Sequence, residues 1–333
     1  MSVRTTAAEP LRIGILGCAD IAIRRMIPVL TGLKSARLVA VASRDGERAR
    51  RIGERIGCAG VAGYDTLLGR DDIDAVYVPL PPGLHHHWVR GALLAGKHVL
   101  CEKPMCTTHG EALEMIELAR DRGLVLAENF MFLHHRQHRE VDSLVREGVT
   151  GDLQVFESSF AVPPLDPSGF RYRPELGGGA LLDVGVYPLR AAQLHLAGEP
   201  EVLAATLRVD NATGVDVAGG ALLCSQDGVT AHVTFGFQHA YRSRYVLWGT
   251  TGRIEVERAF TPPEHLKPPV RIVQQDRLTE LAMPADNQVR NAAEHFVDTV
   301  LDSGSGPVGE TTTLRQARLI DDIRKIAKTF HRE

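Results

Sequence analysis

Positive charge is not in excess in this chain: 38 Lys and Arg stand against 41 Asp and Glu, a formal net of −3. That balance offers nothing to neutralise a phosphate backbone, which excludes nucleic acid as an expected partner. Long apolar runs are missing too, none reaching the about 20 residues that span a bilayer. The polar stretch Met1 to Pro10 lacks the charged-then-apolar pattern of a signal peptide. Together these absences predict a cytoplasmic protein with no membrane partner. Cysteine is scarce and odd in number, five in 333 residues, which fits reduced thiols rather than a disulfide framework. Cys101 and Cys106 lie close together, but without CxxC spacing or a paired second half, so no metal site is expected. Internal repeats, low-complexity segments and long flexible linkers are also absent.

What is present is an ordinary globular composition, 44% apolar and 24% charged, in a length that predicts two closely packed domains. The first part alternates short β-branched runs with amphipathic stretches, as βαβ units around a parallel sheet do. Leu11 to Leu16, Arg37 to Ala42, Ile73 to Val78, Lys97 to Leu100 and Leu124 to Ala127 read as its strands. Ala49, Ile52 and Ile56 recur at helical spacing, as do Ala112, Ile116 and Ala119, with Thr108 and Glu111 as a capping box before the latter. Pro28 should kink the first helix or restart it. After Glu128 the rhythm changes. A helix near Val141 to Arg146 is followed by strand-like segments at Val155 to Val162, Val202 to Val209, Ala218 to Leu223, Thr230 to Phe237, Arg244 to Trp248 and Arg253 to Glu257. Helices at Gln288 to Leu301 and Thr313 to Phe330 end the chain. The predicted division is therefore residues 1–128 and 129–333.

Directly after the first strand stands Gly17-Cys18-Ala19-Asp20-Ile21-Ala22, the dinucleotide fingerprint with alanine in its second and third glycine places. Strand, turn and helix occur in the order that aims helix N-terminal amides at a pyrophosphate. The second strand ends in Ser43-Arg44, where an NAD-binding chain would place an acid on the ribose diol. A guanidinium there favours the extra phosphate of NADP, although Asp45 follows at once. The arginines at 48, 50, 51 and 55 read as a solvated helix face. Val78 to Pro82 closes the fourth strand at the ligand-binding edge of such sheets, its prolines suiting a wall against a flat ring. His85 to His87 lack the i, i+4 spacing of a helical metal site.

In Gly96 to Pro104 a strand delivers Lys103 to the mouth of the sheet, next to Glu102. Hydride reduction of a ketone leaves negative charge on oxygen, and an ammonium or phenol near that oxygen lowers the barrier. Lys103 is one such group and Tyr187 the other. Asp183 and Tyr187 are four residues apart, so a helical conformation would put both on one face, and Gly177 to Gly179 before them permit close approach of a ligand.

With these residues in view, the chain resembles the glucose–fructose oxidoreductase / inositol dehydrogenase (Gfo/Idh/MocA) family along nearly its whole length. The alanine-substituted turn, Glu102-Lys103-Pro104 and the Asp183 to Tyr187 segment carry that likeness. Within the family it looks most like NDP-hexose 3-ketoreductases of antibiotic deoxysugar pathways, through the turn, Tyr77 to Pro81, Glu128 to His135, Gly177 to Pro188 and Phe260 to Pro263. The resemblance implies an α/β chain: an N-terminal Rossmann, doubly wound parallel sheet plus a C-terminal α+β domain with an open, mostly antiparallel sheet. It implies NADPH as hydride donor and a TDP-linked 3-keto sugar as acceptor. By position, Gly17, Cys18, Ala19, Asp20, Ile21, Ser43, Arg44, Leu80, His85 and Glu102 become cofactor contacts. Asp183 and Arg171 line the nicotinamide and substrate cleft, Lys103 and Tyr187 are the acid candidates, and Tyr241 and Thr261 approach the nucleotide of the substrate. Many inositol-oxidising relatives carry histidine where Tyr187 stands, which leaves the proton donor open. The open sheet usually pairs with another subunit in this family, implying a homodimer or homotetramer. Two rival readings remain: an NADP-dependent dehydrogenase of a free sugar, polyol or dihydrodiol, and a non-catalytic dinucleotide sensor.

Overall fold

A computed structural model describes residues 9–302 and 305–332. The N-terminal stretch read above for a leader lies, through residue 8, outside the described residues. The chain opens with β1 (Leu11–Leu16), a π-helical turn (Ala22–Met26) and α1 (Ile27–Thr31). Pro28 sits in the first turn of α1, where its missing N–H costs nothing, so it restarts the helix as expected. Next come β2 (Ala36–Ser43), α2 (Gly46–Ile56), β3 (Ala59–Ala62), α3 (Tyr64–Leu68), β4 (Ala75–Val78), α4 (His85–Leu94), β5 (His98–Glu102), α5 (His109–Arg122) and β6 (Leu126–Asn129). These strands run parallel in the order β6-β5-β4-β1-β2-β3. The order reverses between β1 and β4, and that switch point opens a crevice at the carboxyl ends of the strands. Strand β3 was not expected from the sequence. Ala59-Gly60-Val61-Ala62 holds a single β-branched residue and is extended because it pairs with β2.

The Thr108 cap forms, its hydroxyl accepting from the Glu111 amide at 3.2 Å, but the Glu111 carboxylate turns to the Thr107 amide and hydroxyl, each at 2.8 Å.

The second layer starts with α6 (Arg136–Arg146) and β7 (Leu153–Ala161), then α7 (Val186–His195) and β8 (Glu201–Asp210). It continues through β9 (Asp216–Cys224), β10 (Thr230–Gly236), β11 (Arg242–Gly249), β12 (Arg253–Glu257), β13 (Pro269–Gln274) and β14 (Arg277–Ala282). These strands form a sheet that is antiparallel except where β10 runs parallel to β7 and where a final strand joins its edge. Along β10, Ala231, Val233 and Phe235 are buried while His232 and Thr234 face outward, the alternation of a sheet with one covered face. Its other face carries exposed Leu203, Trp248, Leu278 and Phe330.

After α8 (Gln288–Leu301), β15 (Pro307–Val308) and α9 (Glu310–Ile326), the chain ends in β16 (Lys328–Arg332). The helix expected through Phe330 therefore stops at Ile326. Thr329 to His331 leave it for the parallel pairing with β8, whose ladder bonds outweigh helix propensity. Two late elements return to the first layer: Val289, Ala293 and Phe296 of α8 pack in one core with Ile13 and Ile15, and β15 pairs with β6. Helix α9 bridges the layers, with Ala317 in a separate core of the first layer beside Val76 and Val78, and Leu319, Ile320 and Ile323 in the core of the second.

Candidate active site

Gly17 follows β1 with φ of 124°, a left-handed conformation that suits glycine, and a Cβ there would lie 2.8 Å from a methyl of Leu80. The turn is thus pressed against the loop after β4, leaving a narrow backbone ledge. Ala19, Asp20 and Ile21 face the cleft. The Cys18 thiol is buried, has its pKa raised by burial and points at the Ala42 carbonyl, which turns the side chain away from the cleft.

At the end of β2, Ser43 is buried and its hydroxyl accepts from the Asp45 amide at 3.1 Å, while Arg44 is exposed. Asp45 caps α2 through the Arg48 amide at 3.1 Å, so its carboxylate is committed to the helix. Arg48, read from sequence as a solvated face, instead donates to the Cys18 carbonyl at 2.7 Å and joins this corner. Sequence spacing gave no signal for it, because the contact bridges two turns 30 residues apart.

His85 sits behind the cleft wall. It is fully buried, its ring nitrogens 2.8 Å from the Pro104 carbonyl and 2.6 Å from that of Leu80. It lies between the two loops that flank the cleft, against a carbonyl of each. Burial pushes its pKa down to about 4. Neither neighbour lines the cleft: His86 pairs with Glu114, and His87 meets Trp88 edge to face.

Between the layers lies a cleft of about 560 Å³, lined by Leu80, Glu102, Lys103, Arg171, Asp183, Tyr187 and Thr261 among others. Sequence reasoning thus gathered most of its candidates into one cavity. Asp183 lies in a π-helical turn (Leu181–Gly185) that runs into α7, so it and Tyr187 reach the same cleft. The Lys103 ammonium donates to the Asp183 carbonyl at 2.6 Å and approaches its carboxylate at 3.3 Å. Arg171 holds the other carboxylate oxygen at 2.5 Å. Burial works against the Lys103 charge, but the negative groups around it, Asp183 among them, outweigh it and its pKa is raised. Burial likewise opposes the Asp183 charge, and Lys103 and Arg171 overcome it, so its pKa is lowered. Lysine and aspartate are therefore both ionised at neutral pH.

Tyr187 stands in an aromatic box, its ring centroid 4.9 Å from Phe160, 5.6 Å from Phe260 and 5.7 Å from Phe130, with the ammonium 4.8 Å from its own centroid. Burial raises its pKa, so the phenol keeps its proton. Behind Lys103, the buried Glu102 accepts from Tyr77 and Asn129, both at 2.7 Å. Glu128 receives the Met105 amide at 2.9 Å, fixing the far side of the lysine loop. Tyr241 stands at the rim, its hydroxyl 2.9 Å from that of Thr261.

Comparison with known proteins agrees with this geometry. A model of an oxidoreductase family with an NAD-binding Rossmann fold matches residues 11–130, and the Gfo/Idh/MocA C-terminal domain matches 138–255. A dTDP-3,4-didehydro-2,6-dideoxy-alpha-D-glucose 3-reductase from Actinomadura kijaniata is 46% identical over 97% of this chain and 98% of its own. The NADP-dependent D-xylose 1-dehydrogenase 2 of Haloferax volcanii is 33% identical over 95% of this chain and 97% of its own. A crystal structure of a 3-ketoreductase from A. kijaniata, in complex with NADP and TDP-benzene, superposes with a TM-score of 0.95 at 46% identity, covering 98% of this chain and 100% of that one.

Proposed function

Since the chain belongs to the Gfo/Idh/MocA oxidoreductase family, we propose that it reduces the C3 carbonyl of a TDP-linked keto-deoxysugar with NADPH. One observation carries the reading: a protonated lysine, clamped by Asp183, stands beside a protonated tyrosine in a cleft that begins at a dinucleotide turn. The Gly17 ledge, where a Cβ would strike Leu80, fits a pyrophosphate passing close to backbone. Ser43, Arg44 and Arg48 gather a hydroxyl and two guanidiniums where a ribose phosphate would lie. The relatives' names and the NADP and TDP-benzene complex support cofactor and acceptor alike.

When bound, NADPH supplies a hydride to the carbonyl carbon. Two acceptors on Asp183 fix the Lys103 ammonium, which has three donors, so one N–H is left for the carbonyl oxygen as it gains charge. The Tyr187 hydroxyl then gives its proton to that oxygen, and the adjacent ammonium stabilises the phenolate that remains. Arg171 keeps Asp183 ionised, and Phe160 and Phe260 exclude water.

The same proposal places the enzyme in the cytoplasm, in antibiotic sugar biosynthesis, as a homodimer or homotetramer paired through the open sheet. Five free thiols and that sheet's exposed apolar side chains support compartment and assembly. No described helix is long and apolar enough to cross a membrane. It also keeps 1–128 and 129–333 as working domains.

NADPH oxidation measured in parallel with a TDP-linked 3-keto sugar and with free aldoses and polyols tests the reading. Turnover confined to the nucleotide-linked acceptor is expected. Turnover confined to free sugars would replace it with the dehydrogenase reading, and none with either would favour a sensor.

A further inference from the structure

Lys103 belongs to the first layer and Tyr187 to the second, so their spacing depends on how the two layers are joined behind the cleft. We infer that Glu128 and Arg190 are positioning residues: a buried ion pair, outside the cleft wall, that fixes the Lys103 ammonium against the Tyr187 ring. This inference rests on the reading proposed above, in which those two groups attend the carbonyl oxygen.

The pair reaches both groups. On the lysine side, one Glu128 carboxylate oxygen accepts from the amide of Met105, two residues beyond Lys103, at 2.9 Å. On the tyrosine side, Arg190 follows Tyr187 by three residues on α7 and so lies one turn along its face. Its guanidinium stands 3.9 Å from the other Glu128 oxygen and 5.0 Å over the Phe130 ring, which itself packs 5.7 Å from Tyr187. Asn129, between them in sequence, donates to Glu102 at 2.7 Å. Three consecutive residues, Glu128 to Phe130, thus touch the supports of the lysine and of the tyrosine at once.

Helix α9 closes the junction from behind. The Thr313 hydroxyl donates to Glu128 at 3.2 Å, and one turn on, the Gln316 amide donates at 3.0 Å to the carbonyl of Val186, the residue before Tyr187. The same helix face therefore bonds to the carboxylate and to the start of α7.

Fold stability alone does not account for the pair. The Glu128 and Arg190 side chains are 3% and 6% exposed, their separation is longer than a hydrogen bond, and Arg190 Nη1 makes no hydrogen bond among the described residues. Burial pushes the carboxyl up and the guanidinium down, each partly offset by the other. Apolar side chains in place of such a pair commonly leave a fold as stable or more so. What they would not keep is a directional link between the lysine loop and α7.

The test uses NADPH with the acceptor that wild type reduces, and reads kcat, both KM values and Tm. Glu128→Gln and Arg190→Met should each lower kcat about tenfold and leave both KM values within about twofold, because the pair sets the approach of the acid groups and not the binding of either substrate. Arg190→Lys keeps the charge and should hold kcat within about threefold of wild type. The double variant Glu128→Gln/Arg190→Met leaves no charge unpaired, so Tm should return to the wild-type value or above while kcat stays about tenfold low. A kcat that recovers together with Tm would make the pair a packing element and overturn the inference. So would single variants of undiminished kcat, or an Arg190→Lys no better than Arg190→Met. If the single variants do not fold, the double variant decides alone. The reading of the site fails separately: undiminished kcat in both Lys103→Ala and Tyr187→Phe would remove the acid groups themselves, whatever the pair does.

Discussion

Two clusters of buried polar side chains sit in this molecule and handle the same desolvation cost in opposite ways. In the cleft, Lys103, Asp183 and Arg171 pair opposite charges, so lysine and aspartate stay ionised. In the core of the second layer, His138, His195 and Tyr245 pack together and shed charge instead, with burial pushing His138 down to about 3 and His195 to about 4. The His138 ring fits one neutral tautomer. Its Nε2–H donates to the Ala259 carbonyl at 3.0 Å and its Nδ1 accepts from the Tyr245 hydroxyl at 2.9 Å. An interior that only needs filling neutralises its titratable groups. One that must meet charge developing on a substrate keeps them ionised and compensates them.

The largest expected effects break the cleft side of this contrast. Lys103→Ala should lower kcat about 10³-fold, since it removes the charge that meets the forming alkoxide, while NADPH affinity measured by fluorescence stays within threefold. A variant whose kcat holds would remove the lysine from the chemistry. Tyr187→Phe keeps the aromatic packing and loses only the proton, so a fall of about 10²-fold in single-turnover rate is expected, with the acceptor KM little changed. Equal losses in kcat and acceptor affinity would instead make the hydroxyl a binding group.

Legibility in the sequence follows the same division. The parallel layer was readable because strands buried on both faces are continuous apolar runs, as in Leu11 to Leu16, and because a glycine turn between strand and helix has a fixed chemistry. The cleft was readable where short motifs concentrate it, at Lys103 and at Asp183 with Tyr187. Contacts made by folding alone stayed hidden. Nothing local marks Arg48 for the Cys18 carbonyl, or His85 as the tie between Leu80 and Pro104. Strands β13 and β14 were missed because Pro269 to Ala282 mixes charged and apolar residues, and its pairing with β12 comes from the sheet.

Acid should expose the histidines that burial keeps neutral, His195 in that cluster and, outside it, His85 between the cleft loops and His134 beside His295. Between the ordinary histidine pKa of about 6.5 and folded values near 4 for His85, His134 and His195, the unfolded chain takes up protons that the folded chain refuses. Stability then falls as pH drops through that window, and is fully present above it. Urea unfolding at pH 7, 6 and 5 should give a falling midpoint, with a flatter dependence in His195→Leu. A midpoint unchanged from pH 7 to 5 would mean these rings accept protons inside the fold.

The smallest effect probes the same cluster from its other partner. Tyr245→Phe removes the only donor to His138 Nδ1 among the described residues and leaves that lone pair buried. The ring cannot turn to the other tautomer without stranding the Ala259 carbonyl, so the site has no second arrangement to relax into. A loss of about 1 kcal/mol in unfolding free energy is expected. Because Tyr245 does not line the cleft, kcat with the keto sugar should match wild type. The variant thus inverts Lys103→Ala, with stability lost and turnover kept. A drop in kcat at unchanged stability would show that the two clusters are coupled, and the separation of ionised from neutral polar groups would then describe one network rather than two.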